Sequence, residues 1–180
     1  MHGTEAPSEW VKRWTHLLTP QSHVMDLACG AGRHMRWLAE HGHHCLGVDR
    51  SSDALETAQG YGEVRLADIE NEPWPLSGQK FDAVVVTNYL WRPLMPLIVE
   101  SLKPQGILIY ETFALGQETV GKPSRPDFLL KPGELLATFA KLRVIAYEDG
   151  FSESPPKFVQ RIVASAEVTS SGQRFGLGCR

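Results

Sequence analysis

Several things are scarce or missing in this chain, and each absence narrows the function. No apolar run among its 180 residues approaches the roughly 20 needed to span a bilayer, so no membrane partner is expected. The opening Met1-His2-Gly3-Thr4-Glu5-Ala6-Pro7 has no apolar core of the kind a secretory leader carries. Basic residues number 18 against 21 acids, a formal net charge of −3, and they form no stripe. A nucleic-acid partner is therefore not expected. Cysteine occurs three times, at Cys29, Cys45 and Cys179, an odd count without paired spacing. That argues against a disulfide framework and for reduced thiols in the cytoplasm. There is no internal repeat, no low-complexity segment and no mark of oligomeric state.

What is present is enough apolar residue, 42%, for one domain with a substantial core. The chain reads as a single unit over 1–180. An N-terminal helix or lid occupies 1–21, the core 22–166, and an exposed tail 167–180. Residues 1–8 are polar and read as mobile. Trp10, Val11, Trp14, Leu17 and Leu18 then recur at helical spacing behind a candidate cap, Ser8, and Pro20 ends the helix. Core packing and a pocket wall are both open for the two tryptophans.

Strands and helices alternate five times from there. Val24–Ala28 is apolar around one acid, Asp26, and leads through Gly30 and Gly32 into a helix over Arg33–His41, stopped by Gly42. His44–Val48 ends in Asp49. A short helix over Asp53–Gln59, capped by Ser51 or Ser52 and stopped by Gly60, precedes a strand over Val64–Ala67 that ends in Asp68-Ile69. Phe81–Thr87, apolar on both faces, is the clearest strand. A helix opened by Pro93 and Pro96 runs to Leu102, and Ile107–Thr112 follows as the fifth strand. Gly116–Pro126 reads as a long flexible loop, and a helix starts at Lys131-Pro132-Gly133-Glu134. Leu142–Tyr147 and Phe158–Ala166 are two final strands joined by a polar segment, with no helix between them, so they pair antiparallel. The fold class is α/β: a three-layer, doubly wound, mostly parallel seven-stranded sheet with one antiparallel strand near the C-terminus.

The glycine turn with a helix behind it is a cofactor-binding geometry. Asp26, Asp49 and Asp68 fall at or beside the carboxyl ends of three strands and should line one crevice. An acid at Asp49 suits ribose hydroxyls. The dinucleotide fingerprint wants a small residue where this chain has Met35, and a carboxylate at Asp26 would repel a pyrophosphate. It suits a cation instead, such as the amino group of a methionine moiety.

Asp26-Leu27-Ala28-Cys29-Gly30-Ala31-Gly32, Gly47-Val48-Asp49, Ala67-Asp68-Ile69, Phe81-Asp82-Ala83-Val84 and Leu102-Lys103-Pro104-Gln105-Gly106-Ile107-Leu108 come in the order and at the spacings of a known family. Through them the chain resembles the class I S-adenosylmethionine-dependent methyltransferases. The compact size and the Phe128–Leu135 stretch resemble small bacterial members of the tellurite-resistance or thiol-methylating type. The resemblance implies S-adenosylmethionine as cofactor and a small-molecule methyl acceptor. It implies that Gly30 and Gly32, with Ala28 and Cys29, approach the methionine moiety. Asp26 would hold the amino end, Asp49 beside Arg50 the ribose, and Asp68 and Ile69 the adenine. Thr87-Asn88-Tyr89-Leu90 would sit beside the methyl group.

Methyl transfer needs approach geometry more than a nucleophilic side chain. Tyr89, Trp91 and Arg92 are the catalytic candidates at the mouth, with Glu111 as a candidate base. Arg92, Arg125 and Lys122 are candidate receivers of an anionic acceptor. Tyr89-Leu90-Trp91-Arg92 is not the tetrad that marks methylation of nucleobase amino groups in this family. No metal site is expected from His41, His43 and His44. The other functions weighed are a non-catalytic cofactor- or partner-binding module, an NAD-type dehydrogenase, and a methyltransferase acting on RNA or protein.

Overall fold

The computed structural model describes residues 5–166 and 174–177. Seven strands form one sheet in the order β3-β2-β1-β4-β5-β7-β6. They are β1 His23–Leu27, β2 His44–Asp49, β3 Glu63–Leu66, β4 Phe81–Thr87, β5 Leu102–Phe113, β6 Arg143–Glu153 and β7 Pro156–Ser165. β1 to β5 pair in parallel. β7 is antiparallel to β6, because a two-residue turn at Ser154-Pro155 leaves no length for a crossover, and it is antiparallel to β5 on its other edge.

Each strand presents alternate residues to opposite faces, and helices cover both. On one face α1 Glu9–Trp14, α2 Arg33–Glu40 and α3 Ser52–Ala58 pack over Val24, Ala83, Val85, Ile109 and Val163. On the other, α4 Met95–Glu100 and α5 Glu134–Thr138 pack over Met25, Leu27, Val84, Val86 and Leu108. β4 lies between β1 and β5 and is buried at six of its seven residues, as its uninterrupted apolar run requires.

Ser8 caps α1, its hydroxyl accepting from Trp10 N–H. Trp10 and Trp14 are buried in the core, so their pattern marks packing rather than a pocket wall. Residues 5–8, read from sequence as mobile, are held at four points. Glu5 O and Ala6 O accept from Arg36 and Arg33, Ser8 N–H donates to His34 Nε2, and Ser8 Oγ lies 3.0 Å from Glu111. Gly60 does not stop the third helix; a short 3-10 turn over Gln59–Tyr61 follows it and the chain turns at Gly62. The segment read as a long flexible loop is pinned by buried Gln117, whose amide donates to Lys122 O and accepts from Phe158 N–H. The polar stretch between the last two strands is itself strand, the exposed end of one hairpin. Of the expected tail, 167–173 and 178–180 lie outside the described residues. Within 174–177, Phe175 is half-buried under the Arg143 guanidinium and Gly176 O lies 2.9 Å from His16 Nε2.

Candidate cofactor and acceptor site

The carboxyl ends of β1, β2, β3, β4 and β5 open onto two adjoining clefts of about 410 and 590 Å³, both lined by Ala28, Asp49, Asn88 and Tyr89. Two strained bends lie there. Ala28 just beyond β1 and Asn88 just beyond β4 both have positive φ, +55° and +54°. Such conformations cost non-glycine residues free energy and persist where surrounding bonds impose them. Cys29 N–H donates to Val48 O, and Asn88 N–H donates to Glu111 O, fixing the two bends.

Gly30 has φ +55° and a side chain there would project into open space. Its N–H donates to Asp49 Oδ2 at 2.8 Å, while Ser51 N–H donates to Asp49 Oδ1 at 2.9 Å. The acid ending β2 is thus aimed by the turn that follows β1 and by the start of α3. Gly32 faces the other way. A Cβ there would meet Ala58 at 3.0 Å, so this glycine serves the approach of α2 to α3. Met35, large where a dinucleotide site wants a small residue, is buried against β2, where Gly47 leaves room for its thioether.

Asp26 does not line either cleft. It lies beneath the glycine turn, 1% exposed, and its Oδ2 has no hydrogen-bond partner. Burial pushes its carboxyl up to about 7, against a smaller opposing pull from Arg33. His34, on the first turn of α2, reaches over it. Its Nε2 accepts from Ser8 N–H, so the neutral ring carries its proton on Nδ1. That atom lies 3.4 Å from Thr87 Oγ1 and 3.8 Å from Asp26 Oδ2. Burial holds the imidazole down to about 3, with Arg33 adding to the effect.

At the β3 end Asp68 and Ile69 line the first cleft. Asp68 organises its own turn, accepting from the N–H groups of Glu70 and Asn71 and from the Asn71 amide. These bonds, the Asn71 side chain's first, hold its carboxyl below the usual range. Arg50 lines the same cleft from the β2 end. Tyr89 is set from two sides: Tyr110 OH donates to its carbonyl at 2.8 Å, and its own hydroxyl donates to Glu70 Oε1 at 3.2 Å. Burial and then the Glu70 charge push the Tyr89 phenol upward, so it stays a donor.

The other mouth candidates lie elsewhere. Trp91 packs against the core and lines neither cleft. Arg92 is engaged by four hydrogen bonds. It donates to both Glu134 oxygens at 2.6 and 3.0 Å, to Asp127 O at 2.8 Å and to Leu129 O at 3.0 Å. Glu111 is 3% exposed beneath α1, with Lys157 Nζ at 3.2 Å and Arg161 Nε at 2.9 Å, the latter an ion pair whose N–H is not aligned for a hydrogen bond. Arg125 is exposed and paired with Asp127, and Lys122 lines neither cleft. Cys29 lines the second cleft, but burial raises its thiol, which suits a small turn residue rather than a nucleophile. Among the described residues no three His, Cys, Asp or Glu side chains are grouped as metal ligands.

Residues that sequence reasoning did not place in the site also line the clefts, among them Glu5, Arg33 and His34 on the second and Glu70, Phe113, Pro123 and Phe128 on the first. Phe113 ends β5, and its place at a strand terminus was a readable signal. Pro123 and Phe128 come from a loop, where pattern carries no such signal.

Residues 24–106 match the family model described as "Methyltransferase domain". A curated relative, the putative methyltransferase YqeM of Bacillus subtilis, is 29% identical over 122 residues, covering 60% of this chain and 49% of that protein. The chain therefore aligns with about half the length of that relative. Among solved structures, TehB from Haemophilus influenzae superposes with a TM-score of 0.75 at 18% identity, covering 91% of this chain and 64% of the other. A TehB-like S-adenosylmethionine-dependent methyltransferase from Corynebacterium glutamicum gives 0.65 at 17%, covering 88% and 87%. The N-methyltransferase NodS from Bradyrhizobium japonicum gives 0.69 at 15%, covering 89% and 93%. The seven-stranded 3-2-1-4-5-7-6 sheet is the fold of the class I S-adenosylmethionine-dependent methyltransferases, and over residues 24–106 the chain is similar to that family's domain. S-adenosylmethionine is the methyl donor that this family implies. No helix among the described residues is long and apolar enough to cross a membrane.

Proposed function

We propose that this chain transfers a methyl group from S-adenosylmethionine to a small-molecule acceptor by in-line displacement. The observation that carries the reading is the Gly30 N–H to Asp49 bond, which locks the glycine turn and the acid of the next strand into one cradle. The residues present fit the donor. Gly30 leaves open space where a side chain would stand, and beneath it lies an unpartnered, buried carboxylate oxygen of Asp26. Asp49 would accept from the ribose hydroxyls, Asp68 and Ile69 would hold the adenine, and Gly30 and Asn88 would face the methionine end. Asp26 would act on that end from below, its carboxyl drawn toward ionisation by the approaching cationic amino group. The donor supplies a methyl group on a sulfonium, so the protein's own work is orientation and exclusion of water.

A small acceptor is supported by the first cleft, whose volume of about 410 Å³ it would share with the adenine end of the donor, and by the likeness to TehB and NodS folds. The single-unit division into an N-terminal lid over 1–21 and a core over 22–166 belongs to the same reading, because Glu5 lines the second cleft. Calorimetric titration with S-adenosylhomocysteine and with NAD tests it. Saturable binding of the first and none of the second is expected. Binding of NAD alone would overturn it.

A further inference from the structure

The sheet order divides the site. Asp49, Asp68 and the glycine turn stand on the ends of β2, β3 and β1, the half assigned above to the donor. The ends of β4 and β5 remain for the acceptor. The first cleft continues there between Tyr89 and Leu90 on one side and Phe113, Pro123 and Phe128 on the other.

Among the described lining residues this end contributes no Lys, Arg or His; the cleft's cation, Arg50, stands at the β2 end, on the donor side. Arg92, the cation nearest in sequence, spends its guanidinium on Glu134 and on the two carbonyls flanking Phe128, so it builds the wall instead of facing the cleft. Arg125 sits over the outside of the Phe128 ring, 5.1 Å from its centroid, and pairs with Asp127. Lys157 and Arg161 are held on Glu111. An anionic acceptor would have no cation beside it at this end, the cleft's Arg50 standing at the β2 end, and would face Glu70. A cation would find the aromatic side chains of Tyr89, Phe113 and Phe128 and one carboxylate. Glu70 spends Oε1 on Tyr89 OH, and among the described residues its Oε2 accepts no hydrogen bond.

We infer that the acceptor is a small organic amine on an apolar or aromatic body, bound between Tyr89, Phe113 and Phe128 with its nitrogen at Glu70, and not an oxyanion or a thiolate. The inference rests on the methyltransferase reading. The amine arrives protonated, and Glu70 Oε2 takes one N–H proton and passes it to water. The freed lone pair forms the N–C bond to the methyl carbon as the C–S bond breaks, its electron pair staying on sulfur. The products are the methylated amine and a neutral thioether. Glu70 is the catalytic residue in this step, and Arg92 is a positioning residue for Phe128.

The test titrates protein loaded with S-adenosylhomocysteine with 2-phenylethylamine, with 3-phenylpropanoate and with selenite by calorimetry. It then assays methyl transfer to the amine, to 2-phenylethanethiol and to selenite. The amine should bind at least about tenfold tighter than the carboxylate of the same shape. Glu70→Gln and Phe128→Ala should each weaken it by about tenfold or more. Glu70→Gln should lower kcat/KM for the amine by about a hundredfold. Affinity for S-adenosylhomocysteine, which also reports correct folding, should stay within about threefold in both variants. Tighter binding of the carboxylate or selenite, transfer to the thiol or selenite in place of the amine, no amine binding, or full amine affinity in Glu70→Gln would overturn the inference. Failure of the wild-type protein to bind S-adenosylhomocysteine would instead overturn the methyltransferase reading.

Discussion

Asp26 and His34 form a buried acid–base pair whose protonation is set by opposite shifts. Asp26 is raised from 3.8 to about 7, so between roughly pH 4 and 7 the folded state holds a proton that the unfolded state has released. Its contribution makes stability fall as pH rises through that window, by up to about 4 kcal/mol. His34 is lowered from 6.5 to about 3, so the unfolded state holds the extra proton between those values and stability rises with pH there. The two slopes cancel between about pH 4 and 6.5, leaving a net fall only above that. Asp26→Asn should therefore give a melting temperature that climbs from pH 4 to 6.5 and exceeds that of wild type most at pH 8. Parallel melting curves for the two proteins would refute the assignment. Asp49 makes a different prediction, because both its oxygens already hold backbone N–H groups of the cradle. Asp49→Ala should weaken S-adenosylhomocysteine binding by roughly ten- to a hundredfold in calorimetry, the scale of losing hydrogen bonds to a charged group. Unchanged affinity would remove Asp49 from the donor site. Acids at strand ends were legible because strand periodicity and strand order place them together. The engagement of Arg92 was not legible, because Glu134 is 42 residues away and nothing local couples the two.

Among the elements, α1 shows how far a pattern reaches. Its apolar spacing gave a buried face, and Ser8 gave its cap, both as observed. What spacing cannot say is that the same Ser8 hydroxyl reaches Glu111 and its backbone N–H reaches His34, tying the helix to the site across 103 and 26 residues. With only six residues, α1 is too short to be stable alone, so its tryptophans hold it against the sheet. Trp10 is 2% exposed, edge-on to Trp14, with its indole N–H 3.5 Å from Ile162 O. Trp10→Ala should cost about 3–5 kcal/mol in urea unfolding, the range for deleting a large buried aromatic. A loss under about 1 kcal/mol would mean that the helix packs independently of the core. The β6–β7 hairpin marks the opposite limit. Polar residues and Pro155 made 148–157 look like a connection, yet the ladder continues to Glu153↔Pro156. An exposed hairpin end needs no apolar face, so burial leaves no periodic signature there.

At the scale of the molecule, the parallel part of one mixed sheet collects bends from four strand ends into a single cradle, and this predicts where ligand binding is felt. β4 is the most buried strand and pairs on both edges, while β3 is a four-residue edge strand, largely exposed. Without ligand, hydrogen exchange should be slowest in β4 and the middle of β5, and fast in β3 and at the hairpin end. S-adenosylhomocysteine would touch residues from the ends of β1, β2, β3 and β4 at once. Added protection should then fall on 28–33, 49–51, 67–71 and 88–90 together, with 5–8 following through the Ser8–His34 bond. The hairpin tip at 150–157, on the far edge of the sheet, should gain none. Protection spread evenly over the chain would mean that the ligand stabilises the whole fold by mass action rather than closing a cradle. Protection at 49–51 and 67–71 without 28–33 would place the ligand on the nucleotide half alone and would deny the glycine turn its part in the site.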